Sequence, residues 1–398
     1  MTTASASNLA APASPAEVQA CLQEAIARFT PISLDSSISD SSSIRLDLSQ
    51  LRAWRFWEPD DLTCGVEAGL TPRDVQLRLS EQRLFLPFDL PSPDFSLGAA
   101  LAGNHSGPLR QGYGSLRDFV IGIEFVTGSG ELVKAGGRVV KNVAGYDSMK
   151  LMIGSRGSFG IITAVNFRLF PAPAPTATWL VPCPGWEAAK RFRAAVMASY
   201  LKPIAFELAS SVQSAMVPPE LAPPHHAQLW ALVRCAGEEP VHHRYQKELS
   251  EFARQISSQL VAIPEDRESR FWDEWNAWPA SAPLSFSAPP ELALRALPLL
   301  ADHARSAGLA FGFQGRLGLG VYRLALRPAP APEWILAARS LLAGLGETWL
   351  TVPGAASPLN AWGPLATSRA FLRELKQHLD PHHILPDPFG LITENGTA

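Results

Sequence analysis

The sequence predicts an α+β protein, in which strands and helices are interleaved without a single repeating unit. Before residue 171, short apolar segments with strand-like alternation stand between segments of helical period. After residue 175, longer helical stretches separate four segments typical of strands, at 179–182, 227–235, 284–287 and 321–327. This second pattern favours an antiparallel sheet that is covered by helices on one face.

Two proline clusters divide the chain. The sequence Pro-Ala-Pro-Ala-Pro occurs at 171–175 and again at 328–332. Proline can neither continue a helix nor donate a hydrogen bond to a sheet, so such runs usually lie between elements. The first cluster marks a domain boundary, and the second is interpreted as a loop before a helix at 334–345. We expect domains at 1–172 and 173–355, followed by a C-terminal segment at 356–398.

Local signals place the elements of the first domain. Helical period predicts a helix at 15–29, and Thr71 suits the cap of a second helix that starts at Pro72 and runs to about residue 82. Gly128, Ser129 and Gly130 favour a tight turn between two of the strands. The strands are predicted at 44–48, 62–68, 119–127, 131–135 and 161–165.

Composition and charge exclude several classes of protein. Hydrophobic residues make up 46% of the 398 residues, which is enough for sizeable cores. The formal net charge of −3 gives no concentrated positive field for a nucleic acid. The four cysteines lack the spacing of zinc or iron–sulfur ligands, and the histidine pairs at 225–226, 242–243 and 382–383 are interpreted as solvent-exposed. No segment has the pattern of a membrane span, and we expect a cytoplasmic protein.

Glycine is concentrated between residues 96 and 160, where 14 glycines occur. Glycine lets main-chain N–H groups face a ligand, but glycine-rich turns between short strands are also common. The run from Gly154 to Gly160 precedes an apolar strand, whereas a nucleoside-triphosphate loop precedes a helix and contains GK[ST]. The chain also lacks a GxGxxG motif between a strand and a helix. A nucleotide that binds here must therefore be held in another way.

The segment 139–171 carries the most specific pattern in the chain. It begins VVKNVAGYDSMKLMIGSRGSFGIIT and ends RLFP. This pattern resembles the signature of the FAD-binding subunits of glycolate oxidase, within the vanillyl-alcohol oxidase and p-cresol methylhydroxylase (PCMH-type) superfamily. Residues 96–118 resemble the flavin-contact loops of the same family, and residues 375–389 resemble the C-terminal tail of the superfamily.

The resemblance implies a PCMH-type FAD-binding domain of two α+β subdomains, an α+β cap domain with an antiparallel sheet, and a tail that returns to the FAD-binding domain. FAD would lie extended between the two subdomains. The residues implied on the diphosphate and isoalloxazine side are Ser96, Leu97, Gly98, Asn104, Ser106 and Gly107, with His105 as a further cofactor contact. Those implied on the adenosine side are Gly154, Ser155, Gly157, Gly160 and Ile162. Neither a catalytic residue nor a metal ligand is implied.

The chain departs from the family pattern at the phosphate loop. The family normally carries a glycine run such as GGGS near its first strands, whereas this chain has no glycine before Gly65 and carries a serine-rich tract at 33–43. Serine directs several N–H groups at an anion less readily than glycine, and Asp35 and Asp40 would repel a phosphate. We therefore expect FAD to bind weakly, or only within a complex.

The function implied by the resemblance is that of a FAD-binding subunit of a glycolate oxidase complex, which oxidises glycolate, a 2-hydroxy acid, to glyoxylate. The expected partners are a larger FAD-linked sister subunit and an iron–sulfur subunit that accepts the electrons. Any membrane contact would be made through that complex. Two alternatives stay open: a non-catalytic structural subunit with weakened or lost FAD binding, and a stand-alone FAD-linked oxidase of another 2-hydroxy acid.

Two further groups of side chains are singled out by the sequence. Trp272, Trp275 and Trp278 share a helical face and are expected in a core or a subunit contact. Arg316 and Arg323 are interpreted as surface residues of a sheet, with carboxylate binding as the alternative.

Overall fold

The computed structural model describes residues 9–34, 42–90, 95–139, 149–210, 229–277, 284–352 and 368–392. In these ranges the helices are α1 (Pro15–Arg28), α2 (Pro72–Ser80), α3 (Leu97–Ala102), α4 (Arg110–Tyr113), α5 (Leu116–Phe119), α6 (Met149–Met152), α7 (Trp186–Ala198), α8 (Glu239–Gln255), α9 (Glu265–Ala277), α10 (Pro290–Ser306), α11 (Pro332–Ala343) and α12 (Arg369–Leu379). The strands are β1 (Leu9–Ala10), β2 (Ile32–Ser33), β3 (Ile44–Leu46), β4 (Trp54–Glu58), β5 (Thr63–Glu67), β6 (Leu84–Phe85), β7 (Val120–Val126), β8 (Leu132–Gly136), β9 (Ile161–Arg168), β10 (Phe170–Pro171), β11 (Thr176–Cys183), β12 (Ala205–Ala209), β13 (Leu229–Ala236), β14 (Val261–Ala262), β15 (Leu284–Ser287), β16 (Ala310–Arg316), β17 (Val321–Arg327) and β18 (Trp349–Thr351).

The first residues described form a small parallel sheet with strand order β1-β3-β2. Helix α1 begins after Ser14, whose hydroxyl accepts a hydrogen bond from Glu17 N (3.3 Å) and so caps the helix. The apolar face of α1 consists of Val18, Leu22 and Ala25, which pack in one core with side chains of β2 and β3. This sheet forms one wall of the site described below, and α1 packs behind it.

A five-stranded antiparallel sheet follows, with order β4-β5-β9-β7-β8. Strands β5 and β7 are buried along their whole length, which means that both faces of the sheet centre are covered. The predicted turn between β7 and β8 is present, since Gly130 has a φ of +79° and its N–H donates to Thr127 O (2.9 Å). The predicted cap of α2 is also present, as a capping box between Thr71 and Asp74.

The remaining strands form an eight-stranded antiparallel sheet with order β14-β11-β13-β12-β16-β17-β15-β18. Helices α7, α8, α10 and α11 cover one face, and α9 packs on the other. The prediction that helices cover one face only is therefore wrong. Its physical reason is visible in β13, where Ala231 and Val233 enter one core while Trp230 and Leu232 enter the other.

The aromatic side chains of α9 belong to the smaller of these two cores. Trp272 and Trp275 are 4% and 2% exposed, so the prediction of a core contact is confirmed for both. Their indole N–H groups donate to Thr178 Oγ1 (2.9 Å) and Glu207 Oε2 (3.3 Å). Trp278 lies outside the described residues. None of the helices described has the length and apolar character needed to cross a lipid bilayer.

The C-terminal segment packs against the first two sheets. Helix α12 contacts the core of the five-stranded sheet, while Ile384 and Leu385 enter the core beneath α1. Phe389 stacks on Phe159, with the ring centroids 6.5 Å apart. The end of the chain therefore supports the glycine-rich turn that precedes β9.

A buried ion pair anchors this segment. Lys376 Nζ lies 2.7 Å from Asp380 Oδ2, and the two side chains are 1% and 0% exposed. Lys376 Nζ also donates to Ser158 O (2.8 Å), and the Asp380 carboxylate accepts hydrogen bonds from Ile384 N and Leu385 N (3.0 and 3.1 Å). Burial lowers the pKa of Lys376, and the adjacent Asp380 carboxylate opposes that shift. Both charges are thus compensated inside the protein.

Replacement of Asp380 by alanine should lower the free energy of unfolding by about 3–5 kcal/mol, because the buried ammonium group of Lys376 would lose its counter-ion. Urea denaturation followed by tryptophan fluorescence measures this loss. The matched control is Glu24→Ala, which removes the exposed partner of Arg28 on α1 and should leave the denaturation midpoint unchanged. Equal effects of the two substitutions would contradict the structural role of the buried pair.

Candidate functional site

A cavity of about 630 Å³, hereafter the groove, lies between the three-stranded sheet and the glycine-rich segments. Most of its lining comes from residues 45–49 on β3 and the loop after it, residues 95–102 around α3, and residues 157–162 at the start of β9. Such a volume is typical of small-molecule and cofactor sites. The groove is therefore the first candidate for a binding site.

The turn at residues 154–160 forms one wall of the groove. Gly154 and Gly157 have φ values of +88° and +80°, in the left-handed region that favours glycine. The N–H groups of Gly154 and Arg156 each donate to a carbonyl of α3 at 2.9 Å, which fixes the turn to that helix. A Cβ atom on Gly157 would lie 2.6 Å from Leu34 Cδ1, so the turn also packs closely on the first sheet.

The structure divides the residues that were predicted on the adenosine side. Gly157, Gly160 and Ile162 line the groove, whereas Gly154 and Ser155 belong to the turn without lining it. Ser155 is 2% exposed, and its Oγ has no hydrogen-bond partner in the part of the chain that the structure describes.

The predicted diphosphate side begins at α3. The hydroxyl of Ser96 accepts a hydrogen bond from Ala99 N (3.2 Å) and starts the helix, and both Ser96 and Gly98 line the groove. Leu97 does not, because its side chain is fully buried in the core of the five-stranded sheet. The N–H of Gly98 donates to Ala68 O at 2.8 Å, which holds the start of α3 against β5 and its loop.

The other residues predicted near the flavin do not line the groove. The group consists of Asn104, His105, Ser106 and Gly107. Asn104 has a φ of +49°, and the ring of His105 packs edge-on against Phe95 with centroids 4.9 Å apart. The carbonyls of Ser106 and Gly107 point at the sheet and accept hydrogen bonds from one of its arginines.

Arg316 is that arginine, and its position corrects the interpretation of a surface residue. It is 7% exposed, and its Nε donates to Gly107 O (3.0 Å) while its Nη2 donates to Ser106 O. Arg323 is half-buried and donates from Nη1 to Asn276 O (3.0 Å). Arg316 is covered by the loop at 106–107 and Arg323 by the end of α9, contacts distant in sequence that a strand pattern alone does not reveal.

These two residues and Arg156, whose charges all act on His105, are hereafter called the arginine cluster. Their positive charges, together with the larger effect of burial, lower the pKa of His105 to about 4. Arg156 donates to Val352 O (3.4 Å). The hydrogen bonds found for these three side chains go to main-chain carbonyls. In addition, none of the three forms an ion pair with a carboxylate in the described ranges.

A buried carboxyl group faces the cluster. Glu207 on β12 lies opposite Arg316 on β16 in the sheet register and is 2% exposed. Its Oε2 accepts a hydrogen bond from Trp275, but its Oε1 has no partner in the described part of the chain. Burial raises the pKa of Glu207 to about 7, although Arg316 opposes the shift.

The space at this end of the site is small. A second cavity, lined by Asp89, His105, Ser106 and Gly107 among others, measures about 10 Å³, which is room for about one water molecule. Asp89 Oδ2 accepts a hydrogen bond from Leu109 N (2.6 Å), which helps to fix the loop that follows α3 in its position.

Sequence patterns did not single out Arg45, Arg52 or Glu207. Arg45 could have been noticed as the one charged residue of an otherwise apolar strand, between Ile44 and Leu46. Other predicted features lie outside the described residues: 140–148 of the signature and 35–41 of the serine-rich tract. Among the described residues, no group of three or more His, Cys, Asp or Glu side chains could hold a metal ion.

Comparisons with known proteins agree with this geometry. Residues 6–136 match the family model of a FAD binding domain. Over 160 residues the chain is 32% identical to the glycolate oxidase subunit GlcE of Escherichia coli (strain K12), a match that covers 38% of this chain and 46% of that protein. Over 177 residues it is 32% identical to the mitochondrial D-lactate dehydrogenase [cytochrome] of Arabidopsis thaliana, covering 44% and 31%. These matches span less than half the length of either relative.

The fold of this chain also resembles the folds of solved structures. A solved structure of an alkyldihydroxyacetonephosphate synthase aligns with 94% of this chain and 75% of its own, with a TM-score of 0.68 and 15% identity. At that identity the likeness concerns the fold alone. The chain therefore contains a FAD binding domain, and the predicted PCMH-type α+β fold and the predicted FAD cofactor are confirmed.

The groove also fits FAD by the chemistry of its lining. Leu34 and Ile162 offer apolar surface for an adenine ring. Hydroxyl groups of the lining, and the guanidinium group of Arg45, offer hydrogen-bond donors to an anionic diphosphate.

Replacement of Gly157 by valine should abolish FAD binding or destabilise the fold, because a β-branched residue would be strained at a φ of +80° and would collide with Leu34. Titration with FAD, alongside circular dichroism, distinguishes the two effects. The control is Gly344→Ala, at a φ of −68° with no atom closer than 3.8 Å to the new Cβ, which should change neither property. Normal FAD binding by a folded Gly157→Val chain would refute this wall of the site.

Replacement of Glu207 by glutamine should change how stability depends on pH. The folded-state pKa of about 7 lies above the ordinary value of 4.5, so the contribution of Glu207 to stability is present below pH 4.5 and is lost as the pH rises through 7. The stability of Glu207→Gln relative to the unaltered chain should therefore rise by a few kcal/mol across that window. Urea denaturation at pH 4.5, 6 and 8 measures the difference, and a difference that does not vary with pH would contradict the assignment.

Proposed function

We propose that this chain is the FAD-binding subunit of a complex that oxidises a 2-hydroxy acid, with glycolate as the substrate and glyoxylate as the product. The observation that carries the proposal is the arginine cluster around His105, on the loop that resembles a flavin-contact loop. Relatives named as a glycolate oxidase subunit and a D-lactate dehydrogenase support the class of substrate.

The cluster suits the carboxylate of such an acid. Guanidinium groups bind carboxylates through paired, charge-assisted hydrogen bonds, and these arginines keep positive charges that no ion pair in the described ranges neutralises. His105 stays neutral at physiological pH because its pKa is lowered to about 4, so it can hydrogen bond to the substrate hydroxyl without repelling the arginines. Bound FAD supplies the hydride acceptor that side chains lack.

The electrons must then leave through other proteins. All four cysteines are free, and three of them are buried, so we assign electron transfer out of the chain to partner subunits. We propose a larger FAD-linked sister subunit and an iron–sulfur subunit, in a complex located in the cytoplasm and touching the membrane only through its other members. The partners follow from the resemblance to glycolate oxidase subunits. We also propose the division into domains at 1–172 and 173–355 with a returning C-terminal segment.

A second candidate function is supported by the small cavity beside Asp89 and His105. At about 10 Å³ it is too small for a 2-hydroxy acid, and Arg316 already binds the loop carbonyls. The chain would then keep the fold and support the complex while the sister subunit carries out the oxidation. A stand-alone oxidase is the third candidate, and it alone predicts turnover of a 2-hydroxy acid without partners.

One experiment separates these three functions. The chain is purified alone and with its partner subunits, and the visible absorbance of bound flavin is followed under anaerobic conditions after addition of glycolate, D-lactate or D-2-hydroxyglutarate. Bleaching of the flavin in this subunit supports the leading proposal. Flavin that stays oxidised here while the sister subunit is reduced supports the structural role. Sustained turnover by the isolated chain with oxygen supports the stand-alone oxidase.

Replacement of Arg323 by glutamine should raise the glycolate concentration that gives half-maximal flavin reduction by about tenfold or more, because a charge-assisted hydrogen bond to the carboxylate is lost. Anaerobic stopped-flow reduction measures the change. The control is Arg270→Gln, an arginine on α9 whose side chain is 82% exposed, which should leave the reduction unaltered. Equal kinetics for the Arg323→Gln and unaltered proteins would remove the cluster from the proposed substrate site.

A further inference from the structure

Arg45 stands at the centre of the wall that the three-stranded sheet gives to the groove. It lies on the middle strand β3, between Ile44 and Leu46, which are 9% and 4% exposed and belong to the core beneath α1. Arg45 itself is half-buried and lines the groove. The alternation of the strand thus places a long cationic side chain on the ligand side.

The charge of Arg45 is uncompensated in the described part of the chain. No hydrogen bond or ion pair is found there for its guanidinium group. Arg52 also lines the groove, but its Nη2 lies 2.8 Å from Asp74 Oδ2 in an ion pair. Asp47, another residue of the lining, has one carboxylate oxygen engaged with Ser49 N (2.9 Å). With respect to the residues that the structure describes, Arg45 is therefore the one of these two arginines that is free to bind an anion.

The register of the sheet places Arg45 beside the point where the chain departs from the family pattern. In the parallel pairing of β2 and β3, Arg45 is the partner of Ser33. Ser33 is the first residue of the serine-rich tract at 33–43, which stands where the family carries its glycine-rich phosphate loop. The cationic residue Arg45 therefore lies next to the tract in which the amide donors of a glycine-rich loop are expected to be missing.

We infer that Arg45 binds the diphosphate of FAD and takes over part of the role of the glycine-rich loop. A guanidinium group can donate two parallel hydrogen bonds to phosphate oxygens and also supplies a full positive charge, which amide groups do not. The inference rests on FAD binding in the groove, and it adds a residue that neither the family pattern nor the comparisons assign. It predicts that Arg45 raises the affinity of the chain for a flavin that carries phosphate groups and not for one that lacks them.

The test compares FAD with riboflavin, which has the isoalloxazine ring but no phosphate. Binding of each ligand to the full chain is measured by flavin fluorescence for the unaltered protein and for Arg45→Gln, Arg45→Lys and Arg52→Gln. Arg45→Gln should weaken FAD binding by about 10- to 100-fold, the range for loss of one charge-assisted hydrogen bond, and leave riboflavin binding unchanged. Arg45→Lys keeps the charge and the long stem and should recover part of the FAD affinity.

Arg52→Gln is the matched control, since it removes an arginine of the same groove that is already paired with Asp74. It should weaken FAD binding by less than about threefold. Circular dichroism checks that each variant is folded. If Arg45→Gln does not fold, the FAD affinities of Arg45→Lys and Arg52→Gln are compared, and a larger loss in Arg45→Lys supports the inference.

Three results would overturn the inference. They are equal FAD affinity in Arg45→Gln and the unaltered chain, an equal loss of FAD and riboflavin binding, and a larger effect of Arg52→Gln than of either Arg45 variant. A chain that binds no FAD in any state, alone or with its partners, would instead remove the cofactor itself and the proposed function with it.

Discussion

The buried pair of Lys376 and Asp380 is the constraint on which the geometry of the groove depends. An unpaired charge in a protein interior is strongly unfavourable, so the two side chains must stay together, and the hydrogen bond from Lys376 Nζ to Ser158 O ties them to the turn at 154–160. The main chain at Gly128 packs closely on Asp380, because a Cβ atom on this glycine would lie 2.3 Å from Asp380 Oδ1. Helix α12 thus positions a wall of the groove from more than 200 residues away.

A second set of contacts joins the eight-stranded sheet to the loop at 104–107. Arg316 donates to two carbonyls of that loop, and its charge, with those of Arg156 and Arg323, acts on the half-buried His105. The result is a positive region beside the loop at 104–107, separate from the groove. Under the proposed function, the N-terminal sheets would hold the cofactor and the larger sheet would offer charge to an acidic substrate.

The sequence predicts well those features whose signals are local. Strands β15 and β17 coincide with the predicted segments, and the cap of α2 follows from Thr71 and its neighbours, since these patterns lie within one element. The glycines of the turn at 154–160 were also identifiable, because backbone conformation is a local demand. The burial of Arg316 was not, since it depends on a loop 209 residues earlier in the chain. The sequence also does not predict which face of the eight-stranded sheet α9 covers, because β13 is apolar on both faces.

The proposed position of FAD is the groove between the three-stranded sheet and the turn before β9. Hydrogen–deuterium exchange of the chain with and without FAD tests it most directly, because amide protection reports the position of the ligand without requiring activity. This position predicts that FAD slows exchange in residues 45–49, 95–102 and 154–162, with little change in the helices that cover the far face of the eight-stranded sheet. Protection confined to the eight-stranded sheet, or FAD binding with no protection at 154–162, would contradict it.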